Sequence, residues 1–428
     1  MTIGEATSQE GDNTASVEVP QIAVGLTGLG LRGILLMVFT AGLYRFWYIT
    51  QLRAYFWYNT KIAGFPLEYT GQPIELITGF CIAVAVLLPL YLVFFILSLG
   101  LEYGVMIANI GAFLALWFLS EYAVFRARRY RLTRTLYRGL RFNQSTRAAK
   151  YAAMSMVLWL GTIASLGWLW PMRRKWLQAY RTRHTSYGTF AGSFSCKLAP
   201  LYSAAWPLLM SLSLIFLTSI WLGIDLWQTK LELVEPVFSG QWDSNSADAG
   251  EYLIRQAAPK AIAIIGLILL ALVCFGPRYS AAEFRIFANG TAFGPIQFSS
   301  TLRAKQMLSV WAKFVGVLAL CGLVYWVIGL IMLSIMARSS LAGAMVDSAS
   351  ARYSVLAVLG MFYLVGVVLY SLIHLVLMRF ALWRVYASSL RLHHIDQLET
   401  ARADKATKLR NRDGWSEGFA DALDVGGF

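Results

Sequence analysis

The sequence predicts an all-α, polytopic membrane bundle, and three observations carry that prediction. Apolar runs of about 20 residues recur along the chain, each long enough to cross the roughly 30 Å hydrocarbon core as a helix. Hydrophobic residues make up 57% of the 428 and charged residues 14%, with a mean hydropathy of +0.56, a balance no soluble fold could hide from water. Of the 37 Lys and Arg, 30 fall in five connecting segments (45–73, 126–150, 172–200, 278–306 and 379–412), each abutting an apolar run. That is the positive-inside pattern of a bacterial inner-membrane protein, and it sets those connections and the C-terminus in the cytoplasm.

In chain order, residues 1–23 carry Glu5, Glu10, Asp12 and Glu18, with no basic residue before Arg32. They lack the positive n-region of a cleaved signal peptide and are expected to form a retained, disordered tail. An apolar stretch over 24–48 follows, carrying Arg32 and broken by Gly25, Gly28, Gly30 and Gly42. Six segments have the length and apolarity of full spans: 74–100, 104–125, 201–224, 257–277, 307–335 and 353–378. They pair into three hairpins, closed on the periplasmic side by Glu102, by an acidic stretch from Asp225 through Glu232, Glu235, Asp243 and Asp248 to Glu251, and by a Ser/Ala-rich turn near Asp347. A second broken stretch, 151–171, has basic clusters on both sides, so a simple crossing would leave one of them outside. It is expected to be re-entrant or interfacial rather than spanning, and the same alternative applies to 24–48. Glycines 161, 167, 223, 316, 322 and 329 are expected at close helix contacts. Residues 404–428 are polar and are expected to be disordered.

Self-similarity is the most informative feature of the membrane domain, 24–395. At an offset of 125, Gly42, Leu52, Ala54, Tyr55, Asn59, Thr60 and Gly64 correspond to Gly167, Leu177, Ala179, Tyr180, His184, Thr185 and, one residue out of step, Gly188. The tail of this pattern recurs as Tyr130, Arg134, Thr135, Gly139 and Phe142, and more loosely as Arg285, Asn289, Gly294 and Phe298. Repeat units are thus expected over about 24–149 and 150–300, followed by a hairpin, 307–378, with a basic exit. Each motif is expected to be a helix that ends in a sharp glycine turn and leads into an extended stretch such as Pro66–Thr70.

These motifs carry a resemblance. Thr40-Ala41-Gly42-Leu43-Tyr44-Arg45-Phe46-Trp47, Leu52-Arg53-Ala54-Tyr55 with Asn59-Thr60, Leu67-Glu68-Tyr69-Thr70-Gly71, and Arg134 through Arg141 together resemble the YjgN-like bacterial inner-membrane proteins of unknown function, over most of residues 26–395. The resemblance implies a helical, polytopic inner-membrane protein and brings no catalytic or binding residues with it.

Two groups of side chains stand out as candidate sites. Arg53, Tyr55, Asn59, Tyr130, Arg134, Arg138, Tyr180 and His184 repeat at the membrane surface, where arginine forks match the phosphate oxygens of anionic lipid headgroups. The same residues would equally serve to cap and staple interfacial helices. Glu121, Lys313 and His374 lie inside apolar runs at similar depth; if the helices bring them together they form the kind of titrating set a proton-coupled carrier uses, and otherwise each snorkels alone or Glu121 pairs with Arg126 of its own helix. Cys81, Cys196, Cys274 and Cys321 and the four histidines form no metal-ligand spacing, so neither metal nor cofactor is expected. The net charge of +14 is explained by topology and lipid rather than by nucleic acid. Glu75, Glu121 and Glu283 have no partner that spacing identifies, so catalysis is not expected. What remains is a lipid-interacting or small-solute transport protein, or alternatively a scaffold with a basic cytoplasmic face; protein partners are not specified.

Overall fold

The computed structural model describes residues 14–100, 104–145, 147–239, 255, 258–341 and 349–402. Among the described residues are eleven short strands, the first in the N-terminal stretch and the other ten in the basic connections: β1 (Thr14–Glu18), β2 (Lys61–Ile62), β3 (Phe65–Pro66), β4 (Glu68–Tyr69), β5 (Thr135–Tyr137), β6 (Leu140–Gln144), β7 (Thr185–Tyr187), β8 (Phe190–Phe194), β9 (Thr291–Phe293), β10 (Ile296–Ser300) and β11 (Leu390–His393). All pair antiparallel, and they run around a ring in chain order, with β1 coming back beside β11 through Thr14 opposite His393 and Ser16 opposite Arg391. The two ends of the sheet, β3 and β4, are separated by Leu67 alone. The run 65–69 therefore pairs with β2 on one side and β5 on the other, and Leu67 donates its N–H to the Thr60 carbonyl at 3.0 Å. The sheet is in this way nearly closed, which removes the edges that would otherwise invite pairing with another chain.

The all-α expectation is corrected accordingly. Strands of two to five residues are too short to show a period of two in the sequence, and charge clusters mask them. The first strand corrects the disordered N-terminal tail over Thr14–Glu18, which alternates polar-out with apolar-in and buries Val17; residues 1–13 lie outside the described residues.

Tight turns join strands at one rim of the sheet. Ala63-Gly64 and Arg138-Gly139 have positive φ at both positions, and Gly294 precedes Pro295 with φ 55°. Two-residue turns of this kind match the twist of the flanking strands. The motif glycine therefore marks the tip of a β-hairpin rather than the end of the helix.

Helical excursions leave the opposite rim and return to it: α1 (Leu26–Phe39) with α2 (Arg45–Tyr58), α3 (Pro73–Gly100) with α4 (Gly104–Thr133), α5 (Ala148–Ala164) with α6 (Trp170–Arg183), α7 (Leu198–Ser239) with α8 (Ala258–Asn289), and α9 (Ala304–Leu341) with α10 (Ala349–Ile373). The last continues through a π-helical segment, His374–Phe380, into α11 (Ala381–Ser388). Among the described residues six helices are long and apolar enough to cross a membrane, and they coincide with the six expected spans. They run past the expected ends at 125, 277 and 378, to Thr133, Asn289 and Ser388, so three of the basic connections begin as helix. Of the residues expected to close the hairpins, Asp225, Glu232 and Glu235 continue α7, while Glu102, Asp243, Asp248, Glu251 and Asp347 lie outside the described residues, as do 404–428.

The two broken stretches form short pairs. With 14 and 17 residues, α1 and α5 rise only about 21 and 26 Å, short of the roughly 30 Å core. Both end in the same left-handed turn, Ala41-Gly42 (φ 50° and 89°) and Leu166-Gly167 (φ 52° and 91°). In each the glycine N–H bonds five residues back, to Met37 or Thr162, at 2.7 Å. The chain then doubles back; a Cβ on Gly33 would lie 2.1 Å from the Tyr48 ring. Of the glycines expected at close contacts, Gly161 and Gly329 have a side chain 3.3 and 3.4 Å from an added Cβ, whereas at Gly167, Gly223, Gly316 and Gly322 a Cβ meets nothing within 4 Å; the closer helix contacts fall on Gly30, Gly33, Gly111 and Gly366.

Inside the sheet lie Val17, Tyr137, Tyr187, Ile296 and Leu392, with Phe142, Phe293 and Phe298 against them. A 3-10 turn, Ile395–Thr400, covers the turn-side rim with Leu398, and Arg402 accepts the Thr189 N–H at 3.0 Å. Burial pushes the Tyr187 phenol up to about 12, helped by the Tyr137 phenol, while its hydroxyl donates to the Tyr137 carbonyl at 2.9 Å.

The closest backbone approach sits at Gly192 on β8, where a Cβ would stand 2.2 Å from the Thr182 carbonyl oxygen and 2.7 Å from that of Thr185. Gly192→Ala is expected to reduce the yield of folded protein in fluorescence-detected gel filtration several-fold. Gly276→Ala, in open space on α8, is expected to leave it unchanged.

Candidate functional site

Each return helix enters the sheet through a hydroxyl. Thr60, Thr135, Thr185 and Thr291 donate to the carbonyls four residues back, of Phe56, Arg131, Arg181 and Phe287, at 2.7–2.9 Å, and Ser389 donates to Tyr386. These bonds satisfy last-turn carbonyls while the chain changes from helix to strand. Two of the hydroxyls also accept indole N–H bonds: Trp57 to Thr135 at 2.8 Å and Trp383 to Thr60 at 2.9 Å, with the two indoles stacked 5.3 Å apart. This aromatic cluster lies at the membrane-side mouth of the sheet.

The residues expected to face headgroups have partners within the protein. Arg53 is 1% exposed and donates to the Tyr69 hydroxyl. Tyr55 donates to the Val24 carbonyl, and Asn59 caps its own helix at Tyr55. His184 does the same at the Tyr180 carbonyl, with the Tyr180 ring 4.5 Å from the imidazole. Arg134 makes a two-pronged pair with Glu75, at 3.0 and 2.6 Å, and Tyr130 donates to the same carboxylate at 2.8 Å. Arg138 is at a hairpin tip, on the rim away from the membrane helices, over the Phe65 ring at 4.3 Å.

Glu121, Lys313 and His374 do not meet. Glu121 accepts from Trp159 at 2.9 Å and from Arg173 at 3.2 Å, Lys313 is exposed, and His374 lies between the Phe314 and Tyr370 rings. Glu283 in turn pairs with Arg174 at 2.5 Å. So all three carboxylates that spacing left without a partner have a buried or half-buried arginine, brought there by helix packing. Adjacent arginines on α6 divide the work: Arg173 reaches α4 and also Ser155 on α5, and Arg174 reaches α8. Burial is the largest single influence on the Arg174 guanidinium and pulls it down, but the Glu283 charge and hydrogen bond, with the Tyr279 and Tyr151 phenols, together outweigh it and the net shift is upward; at Arg173 burial prevails over the Glu121 charge and the shift is downward.

Between the return helices and the mouth of the sheet lies a cavity of about 840 Å³. Its floor is Phe56, Trp383, Thr291, Phe298 and Leu390, and its walls come from α6, α8, the π segment and α11. Polar groups on the walls are Arg174, Gln178, Ser280, Glu283, His374 and Arg379; the rest are mainly aromatic and aliphatic. This volume and mixture suit a small amphipathic ligand. Of the expected site residues only His374 lines it. Arg174, Gln178 and Glu283 carry no sequence signal, since they sit in basic or apolar runs that topology already explains. Among the described residues no group of three or more His, Cys, Asp or Glu is placed to hold a metal.

Residues 26–321 match a family described as a bacterial protein of unknown function (DUF898), which includes the YjgN-like proteins. No curated protein and no solved structure matches the chain.

Removing one partner of a buried pair strands the other charge. Arg134→Gln is expected to lower stability by about 3 kcal/mol in detergent unfolding, the lower end of the range for such losses. The double change with Glu75→Gln is expected to recover part of that loss.

Proposed function

From its membership of this bacterial family of unknown function, to which the chain belongs over residues 26–321, we propose that the protein holds a lipid-like amphiphile in its axial cavity, at the boundary between membrane and sheet. It acts in the bacterial inner membrane, without catalysis and without nucleic acid. The observation that carries the reading is the cavity itself: about 840 Å³, walled by return helices of membrane hairpins and floored by aromatic residues, with charged groups on an otherwise apolar wall. A small polar solute would leave the aromatic floor uncovered, while an amphiphile satisfies both halves.

Orientation follows from charge. The sheet stands at the helix ends that carry the basic clusters, so the positive-inside rule puts it in the cytoplasm. In a cysteine-less background, a cysteine introduced by Arg138→Cys at the exposed hairpin tip is expected to react with an impermeant maleimide only in inverted vesicles. Labelling in intact spheroplasts would reverse the orientation.

The cavity reading is tested by filling it. Native mass spectrometry of the protein released from membranes is expected to show a retained lipid that Ser280→Trp removes, since Ser280 lies on the wall. Identical lipid retention in a folded Ser280→Trp protein would contradict the reading and favour the scaffold alternative.

A further inference from the structure

We propose that a phosphate group binds between Arg128 on α4 and Arg181 on α6, against the hydroxyl of Tyr151 on α5. None of these three residues lines the axial cavity, so the site stands independently of the cavity reading.

Tyr151 is the hub. Its side chain is fully buried, with the ring 4.9 Å from Phe125 on α4 and 5.9 Å from Tyr180 on α6, so three helices fix its position. Four guanidiniums act on its phenol: Arg128, Arg173, Arg174 and Arg181. Carboxylates answer two of them, Glu121 at Arg173 and Glu283 at Arg174. Among the described contacts none answers Arg128 or Arg181. The charges that act on half-buried Arg128 are instead two further cations, Arg181 and Arg131. Like charges repel, and packing that brings two guanidiniums to one phenol without an acid builds a positive potential that an anion offsets.

The hydrogen bonds point the same way. Arg181 donates from a terminal amino group to the Tyr151 hydroxyl oxygen, with its guanidinium carbon 5.1 Å from the centre of that ring. The hydroxyl thus serves as acceptor, and its own proton has no acceptor among the described contacts. The Arg181 Nε is buried and also has no partner. Buried donors without acceptors are uncommon. Here they belong to a guanidinium fork and a phenol, groups whose geometry suits the oxygens of a phosphate. Tyr151 also stands in the first turn of α5, which carries neither an acidic residue there nor a side-chain cap. The positive end of that helix therefore adds to the potential.

Depth brings the site to the edge of the bilayer. Arg128 lies three residues beyond Phe125, where the apolar run of α4 ends, and Arg181 lies in the last turn of α6 before β7. A lipid phosphate reaches this level from the membrane and a free phosphate compound from the cytoplasm. The recognition chemistry is the same for both.

The thermal stability of the full-length protein in neutral detergent separates them, read by fluorescence-detected gel filtration at fixed ionic strength. The probes are dioctanoyl phosphatidylglycerol and inorganic phosphate, with dioctanoyl phosphatidylcholine as control. A ligand of the folded state stabilises it in a saturable way. Wild type is expected to respond to phosphatidylglycerol or to inorganic phosphate beyond the control. Arg128→Gln is expected to shift that response to about tenfold higher probe concentration, and Tyr151→Phe to weaken it several-fold while keeping the ring contacts. Without a probe, Arg128→Gln is expected to be at least as stable as wild type, because it relieves repulsion between cations. Stabilisation by phosphatidylglycerol alone assigns the phosphate to a lipid, and stabilisation by inorganic phosphate assigns it to a free compound. No response to either probe, a full response in Arg128→Gln, or a loss of stability in that variant without a probe overturns the site. A response that Ser280→Trp abolishes and Arg128→Gln leaves intact belongs to the axial cavity, and the phosphate site then falls while the cavity reading stands.

Discussion

Helices and strands need different amounts of room, and here both must share one rim. Neighbouring strands stand about 4.8 Å apart, so a ring counted as ten, with the run 65–69 as a single strand, offers roughly 48 Å of circumference. Packed helices need 8–10 Å each, so about five fit side by side on such a rim. Five excursions bring ten helices. The chain resolves the conflict asymmetrically: return helices run into their strands through one or two residues, as from Thr133 to Thr135 or Arg183 to Thr185, whereas four outgoing helices are set off by three, as from Gln144 to Ala148 or Ser300 to Ala304. Return helices therefore hold the rim and outgoing helices are displaced from it. The walls of the cavity follow from this, because α6, α8 and the π segment with α11 are all on return paths and Phe56 comes from α2.

Polar chemistry then fixes what sterics permit. The carboxylates of Glu75, Glu121 and Glu283 would each be costly to bury alone. Each meets an arginine from another helix or from the end of the return helix, so the pairs tie the excursions together near the rim. Trp57 and Trp383 join α2 to β5 and α11 to the α2 junction, closing the mouth of the sheet with hydrogen-bonded aromatics. Membrane helices gain little from hydrophobic contact with each other in lipid, and a rim crowded with ion pairs and indole bonds supplies the specificity that contact lacks.

Hydropathy made the six spans legible, and charge placement marked 24–48 and 151–171 as different from them. The recurring Tyr, Thr and Gly pointed to a repeated junction, with Thr60, Thr135 and Thr185 at its centre. The extended stretch Pro66–Thr70 was legible, but its place in a sheet was not: Thr135–Tyr137 and Thr185–Tyr187 are three residues long, and β1 and β11 pair from opposite ends of the chain. Nor was the site. Arg134 and Tyr130 carried a motif signal because they hold Glu75, while Arg174 and Glu283, which line the cavity, meet across 109 positions of sequence. Spacing cannot disclose a contact that only the pairing of neighbouring hairpins creates.

Ring closure is the claim to test most directly, at the strand pair whose members lie farthest apart in sequence. Ser16 on β1 and Arg391 on β11 face each other across the closing pair, both with exposed side chains. In a cysteine-less background, Ser16→Cys with Arg391→Cys is expected to form an intramolecular disulfide in native membranes under mild oxidation, seen as a reducible mobility shift. No cross-link, in a preparation where Ser299→Cys with Arg391→Cys forms its own disulfide across β10 and β11, would leave the ring open and remove the basis for the axial cavity.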